Sequence, residues 1–135
     1  MLKLIMGRFL GDAGGFVDMV AQHMPSPVAS AGAKVDQAYS GSHAAACVPA
    51  MRACDPSGPL MVNVVKLYST PDGTAFHALG RVFSGTLRPG EQVKVLGEAY
   101  SLDDEEDMAV CEVTGLSLGQ GRYRVEVPEA RAGNW

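Results

Sequence analysis

GRVFSGTLRPGEQVKVLG, residues 80 to 97, decides the fold. Val82 and Phe83 favour extended backbone, and Gly85 ends their run. Pro89 fixes φ and Gly90 tolerates φ > 0, the pair that a type II turn needs. Beyond the turn, Val93 and Val95 alternate with Gln92 and Lys94, so one face is apolar and the other wet. The stretch predicts a strand, a tight turn and a return strand: a β-hairpin that needs a barrel or sandwich around it.

The flanks carry the same punctuation. Upstream, LMVNVVKLY (60 to 68) is a strand by β-branched content, STPDG (69 to 73) a turn, and AFHALGRVFSG (75 to 85) the next strand. Downstream lie a polar loop SLDDEED (101 to 107), a strand near VCEVTGLSL (110 to 118), a Gly119-Gln120-Gly121 turn and RYRVEV (122 to 127), where Tyr123, Val125 and Val127 face one way. Short strands at close spacing with turns between them mark an all-β barrel or sandwich. The amino-terminal part reads differently. Leu2, Leu4, Ile5, Phe9 and Leu10 mix i+3 and i+4 steps, so residues 1 to 10 form a helix. Gly11 breaks it, Asp12 offers an N-cap, and Phe16, Val17, Val20 and Met24 keep helical spacing until Pro25 and Pro27. From Ser26 to Ser57 the composition turns to Ala, Ser, Gly and Pro. Too few large apolar residues remain to offset chain entropy, which predicts a linker with local order at best, pinned to the surface by Tyr39.

The chain also resembles a known family. The GRVFSG strand with its Pro-Gly turn and Val-x-Val return resembles the second domain of translational GTPases, a small β-barrel. HMPSP (23 to 27), CDPSGPLM (54 to 61), FHALGRVFSG (76 to 85) and ARAGNW (130 to 135) are similar, in order and spacing, to the elongation-factor-two branch, and the resemblance runs nearly end to end. GRFLGDAGGFVDMV (7 to 20), KLYSTPDG (66 to 73) and GEAYSLDDEEDMAVCEV (97 to 113) resemble the spliceosomal side of that branch, the elongation-factor-like GTPases of the U-five small nuclear ribonucleoprotein. The resemblance implies a mainly β fold: a translation-factor-type Greek-key β-barrel preceded by a linker and a short helical segment. Residues 1–25 then correspond to the helical tail of the nucleotide-binding region, 26–57 to the linker and 58–135 to a barrel expected to lack its last strand. It implies a non-catalytic fragment of a GTPase acting in pre-mRNA splicing in the nucleus, with a large spliceosomal scaffold protein, small nuclear RNA and the parent's own other domains as partners. The alternative is a piece of the ribosomal translocase, acting in cytoplasmic translation elongation; the acidic run at 103–107 disfavours it. GTP and magnesium belong to the parent.

Composition limits the other readings. With 135 residues there is room for one ordinary core. Apolar residues make up 47% and charged residues 19%, which are globular values. A net charge of −4 argues against a binder that works by bulk electrostatics, so any RNA contact must be local. No apolar run is long enough to span a bilayer, and the first six residues lack the pattern of a signal peptide, so the chain reads as intracellular with no membrane partner. Cys47, Cys54 and Cys111 have no close-spaced mate and read as plain thiols.

A nucleotide site needs backbone amides and a Lys on the phosphates, yet no Lys-Ser or Lys-Thr follows Gly11, Gly14 and Gly15. Gly119 and Gly121 separate strands and do not open a helix. His23, His43 and His77 show no ligand spacing, and neither Ser84 nor Cys111 sits in a nucleophile elbow. No catalytic residue, metal or cofactor is expected within the chain. Asp103, Asp104, Glu105, Glu106 and Asp107 lack the spacing of a calcium loop and read as a solvated loop or an acidic docking loop for a basic protein surface. Arg122 and Arg124 share a face by period-two geometry, and with Arg81 or Lys94 they would form a basic patch able to touch phosphate or a partner. A free-standing single-stranded nucleic-acid binder would need aromatic platforms beside such charge, and Phe76, Phe83, Tyr100 and Tyr123 are too few and too apolar in context. Isothermal titration of the chain with GTP and magnesium is expected to be flat; saturable heat would place a nucleotide site inside it.

Overall fold

The computed structural model describes residues 2–11, 13–101, 103–104 and 106–135, and among them it holds four helices and eight strands. Helices α1 (Leu2–Leu10) and α2 (Gly14–His23) fall on the two amino-terminal stretches of helical spacing. The expected cap Asp12 lies outside the described residues. Ala13, at φ 61, precedes α2 without a side-chain cap, and α2 buries none of its residues.

Between Ser26 and Ser57 the structure departs from the composition. Helix α3 (Pro27–Ala38) starts where Ser26 accepts the Ala29 N–H at 3.2 Å, with Pro27 at the first helical position. Helix α4 (Val48–Ala53) follows. Val35, Val48 and Met51 are buried with Phe83 in one cluster, and Tyr39, Ala45, Cys47 and Met61 pack against it. The Tyr39 hydroxyl also lies 3.8 Å from Cys47 Sγ, a contact that, with burial, raises its pKa. Counting large apolar residues misses this core because α3 buries only Ala31 and Val35, at i,i+4, and the bulky partner of Val35, Phe83, comes from a distant strand. Helix α4 ends with Asp55 N–H donating to the Ala50 carbonyl and Cys54 N–H to that of Met51, the two bonds of a Schellman motif. Cys54 stands at φ 52, where glycine is usual.

The strands form four antiparallel ribbons. Strand β1 (Met61–Ser69) pairs with β2 (Phe76–Ser84), β3 (Thr86–Leu87) with β8 (Ala130–Arg131), β4 (Gln92–Leu96) with β5 (Met108–Glu112), and β6 (Ser117–Gln120) with β7 (Tyr123–Glu126). None of the four closes into a barrel. The turn at Pro89-Gly90 is present as expected, with Glu91 N–H on the Arg88 carbonyl at 3.4 Å and Gly90 at φ 83. The hairpin expected around it is not. Residues 80 to 87 pair with β1 and β8, and residues 92 to 96 pair with β5. Gly85, at φ 78, takes the chain out of β2, and its N–H donates to the Asp55 carbonyl at 2.9 Å instead of to a return strand. Ser84 Oγ reaches the Pro59 carbonyl at 2.6 Å and Thr86 Oγ1 the Pro56 carbonyl at 2.9 Å. The segment 55–60 thus crosses the end of β2.

Two further ties join helices to strands. Arg81 is 7% exposed, donates from Nη2 to the Pro27 carbonyl at 3.1 Å and lies 5.5 Å from the Phe83 ring centroid. The last residues dock on β2 through Gly133 N–H to the Val82 carbonyl at 2.8 Å and Val82 N–H to the Asn134 carbonyl at 3.0 Å. Much of the rest is open: Leu4, Phe9 and Phe16 on the first helices, and Val64 and Leu67 on β1, are exposed. No described helix is long and apolar enough to cross a membrane.

Chemical denaturation tests the helix–strand core. Met51→Ala is expected to cost about 2–5 kcal/mol and Arg81→Gln about 1.5–3 kcal/mol, while Lys94→Gln stays within about 0.5 kcal/mol. Limited proteolysis should cut the 70–75 turn before residues 27–53; the opposite order would return that segment to a mobile linker.

Candidate nucleic-acid interface

Strand β1 runs out to a turn that sets two polar side chains abreast. In the β1–β2 register Tyr68 stands opposite His77, and Lys66 precedes Tyr68 by two residues on the same face. Residues 70–75 join the strands. Thr70 N–H donates to the Ala75 carbonyl at 2.9 Å, and Gly73 takes φ 70. The Asp72 carboxylate accepts the Thr70 hydroxyl at 2.5 Å and the Thr74 hydroxyl at 2.7 Å. These bonds, Thr70 first, lower the Asp72 pKa from 3.8 to about 2.

The β6–β7 ribbon reaches the same place from the other end of the chain. Gln120 pairs with Tyr123, leaving Gly121-Arg122 as a two-residue turn with Gly121 at φ 61. Arg124 then projects from β7 so that its guanidinium carbon lies 5.9 Å from the Tyr68 ring centroid, and Lys66 Nζ lies 4.8 Å from the same ring. Arg122 sits 5.2 Å from the ring of Tyr123. Arg122 and Arg124 therefore occupy different tyrosines, where alternation predicted one shared face. Arg81 does not join them, being buried against Pro27 and Phe83. Lys94 is exposed on β4, away from any described ring or carboxylate contact. Lys66 and Tyr68 lie two residues apart in one predicted strand, the one local signal that they share a face. Arg124 is legible as a strand cation from its spacing with Arg122, but nothing local signals its meeting with Tyr68.

Other arginines and several carboxylates are engaged elsewhere. Arg88 and Arg131 both hold Glu129, at 2.9 and 2.5 Å, and these bonds, Arg131 first, lower the Glu129 pKa. Arg52 pairs with Asp36, which also lies 3.7 Å from His43 Nδ1. In the acidic loop Asp107 accepts the Ala99 N–H at 2.9 Å and Asp104 the Glu106 N–H at 3.0 Å, so both carboxylates order the loop. A Cβ at Gly97 would lie 2.1 Å from Asp107 Oδ1, which explains the glycine there. Asp103 and Glu106 are exposed, and Glu105 lies outside the described residues. Among the described residues no cluster of His, Cys, Asp or Glu suits a metal ion, and the three cysteines are free thiols. Gly14 and Gly15 open α2 with Phe16 and Val17 behind them, so this glycine pair lacks the Lys and hydroxyl that a phosphate loop needs.

Residues 75–135, which hold strands β2 to β8, match the family model described as elongation factor Tu domain 2. That segment belongs to the elongation factor Tu domain 2 family. It carries seven of the eight described strands, in agreement with the mainly β class, although the ribbons are not closed. Similarity extends over the whole chain. It is 49% identical over 135 residues to the 109 kDa U5 small nuclear ribonucleoprotein component GFL and, equally, to the 110 kDa component CLO, both of Arabidopsis thaliana. It is 42% identical over 98% of its length to the pre-mRNA-splicing factor cwf10 of Schizosaccharomyces pombe. The chain spans about 14% of the length of each of these curated relatives.

Asp72 gives the turn beside Tyr68 a defined pH response. Because its folded pKa lies below the unfolded value of 3.8, its contribution is present above that pH and is lost as pH falls through about 2. Amide exchange at Thr74 should therefore stay slow down to about pH 4 and speed up below it, and Asp72→Asn should abolish the transition.

Proposed function

We propose that the chain is a non-catalytic module of a spliceosomal elongation-factor-like GTPase, acting in pre-mRNA splicing in the nucleus. The observation that carries this reading is the 49% identity to two U5 small nuclear ribonucleoprotein components, which extends over every residue of the chain, beyond the segment matched by the domain model. The module orients its neighbours and presents contact surfaces. The exposed apolar faces of α1, α2 and β1 suit packing against other parts of a longer parent, and the acidic loop, with Asp103 and Glu106 free at its surface, suits a basic region of a large scaffold protein. GTP and magnesium act in the parent, outside residues 1–135. Immunoprecipitation of the full-length protein from nuclear extract tests the reading. Enrichment of spliceosomal small nuclear RNA over ribosomal RNA is expected; enrichment of ribosomes instead would assign the chain to translation.

A further inference from the structure

We infer that Lys66, Tyr68 and Arg124, with His77 beside them, form a binding site for single-stranded RNA. The inference rests on the splicing reading for the identity of the nucleic acid and on the geometry for the site.

Seven of the eleven cations fall into two groups, while Lys3, Arg8, Lys34 and Lys94 meet neither a described carboxylate nor a described ring. Arg52, Arg88 and Arg131 are paired with carboxylates, and Arg81 is buried on a carbonyl. Lys66, Arg122 and Arg124 meet no described carboxylate and lie instead on tyrosine rings. A guanidinium or ammonium over a ring is steered by the π-face while its N–H donors remain free for another acceptor. Two such cations, from strands far apart in sequence, converge on Tyr68, which is 38% exposed. Phosphate oxygens fit the free donors and an unstacked base fits the aromatic ring, the two contacts by which single strands are held. His77, opposite Tyr68 and exposed, extends the platform along the ladder. Arg122 and Tyr123, at the tip of the β6–β7 ribbon, repeat the cation–ring pair where a neighbouring nucleotide would run. In a chain of net charge −4 this concentration of unpaired cations is local, so the surface selects an anion without general affinity for one.

Fluorescence anisotropy of the 135-residue chain with a labelled oligouridylate of about 12 nucleotides tests the site. Saturable binding tighter than about 100 μM is expected, falling with salt. Tyr68→Ala should weaken it about tenfold, and Tyr68→Phe should leave it unchanged. Lys66→Gln with Arg124→Gln should flatten the salt dependence by about 1.4 log units per log unit of salt, while Lys94→Gln should have little effect. Thermal melts of each variant separate lost contact from lost fold. Absence of saturable binding by the parent chain overturns the inference, as does equal weakening by Lys94→Gln, equal affinity for a perfect duplex, or full displacement by an oligoglutamate peptide, which would make the site a protein contact. Ultraviolet crosslinking of the full-length protein in its native particle is the second arm: Tyr68→Ala should lose the crosslink to this segment while still entering the particle. A crosslink that survives overturns the site but leaves the splicing reading standing, whereas failure of the unmodified protein to enter the particle overturns that reading.

Discussion

Gly85 has no room for a side chain, and the rest of the structure is arranged around that restriction. A Cβ there would stand 2.6 Å from Leu60 Cα, and the residue sits at φ 78, a backbone state that side chains resist. The close approach lets segment 55–60 cross the end of β2 and accept hydrogen bonds from Ser84, Gly85 and Thr86 through the carbonyls of Pro59, Asp55 and Pro56. Two of those acceptors belong to prolines, which have no N–H of their own to satisfy in the crossing. With the segment pinned, α4 lies over β2, and Phe83 enters the cluster of Val35, Val48 and Met51. The same glycine passes the strand from β1 to β8 and so brings the carboxy-terminal turn onto β2. There Gly133 meets Pro27 and Cys54: a Cβ at Gly133 would lie 3.0 Å from Pro27 Cβ.

The arginines divide along the same line between scaffold and surface. Arg81 lies in β2, the strand that ends before Gly85, and its guanidinium holds the first residue of α3 to that strand. A buried cation donating to a carbonyl is structural, because burial removes it from any phosphate and its removal leaves an orphaned acceptor. Arg124 is the reverse case. It is exposed, has no described carboxylate partner, and is held only by the Tyr68 ring. That weak tether orients the donors without consuming them, as a surface that recognises an anion requires.

Asp72, Asp104 and Asp107 show why the acidic residues cannot be read as a class. Asp72 organises the β1–β2 turn through threonine hydroxyls, and Asp104 and Asp107 bind backbone N–H groups in the β4–β5 loop. Asp103 and Glu106 remain exposed in that loop. A docking role for the loop therefore falls on fewer carboxylates than its composition suggests.

By itself the sequence determined the elements whose causes are local. Helical spacing placed α1 and α2, β-branched content placed β1, and Pro89-Gly90 specified its turn through φ alone. It also determined the family resemblance, carried by short motifs such as GRVFSG and ARAGNW whose order is a property of the chain and not of its folding. Tertiary structure decided which strands pair. Residues 80 to 87 and 92 to 96 flank a good turn, yet the ladder donors of each are taken by other segments, since pairing depends on what lies alongside and Gly85 admits Leu60 where a return strand would have been. It decided that α3 and α4 pack, because Val35, Val48 and Met51 become a core only when Phe83 joins them. And it decided the composition of the candidate site, replacing Arg81 with Tyr68 and Lys66, because burial and the meeting of Tyr68 with Arg124 depend on distances between segments more than fifty residues apart in the chain.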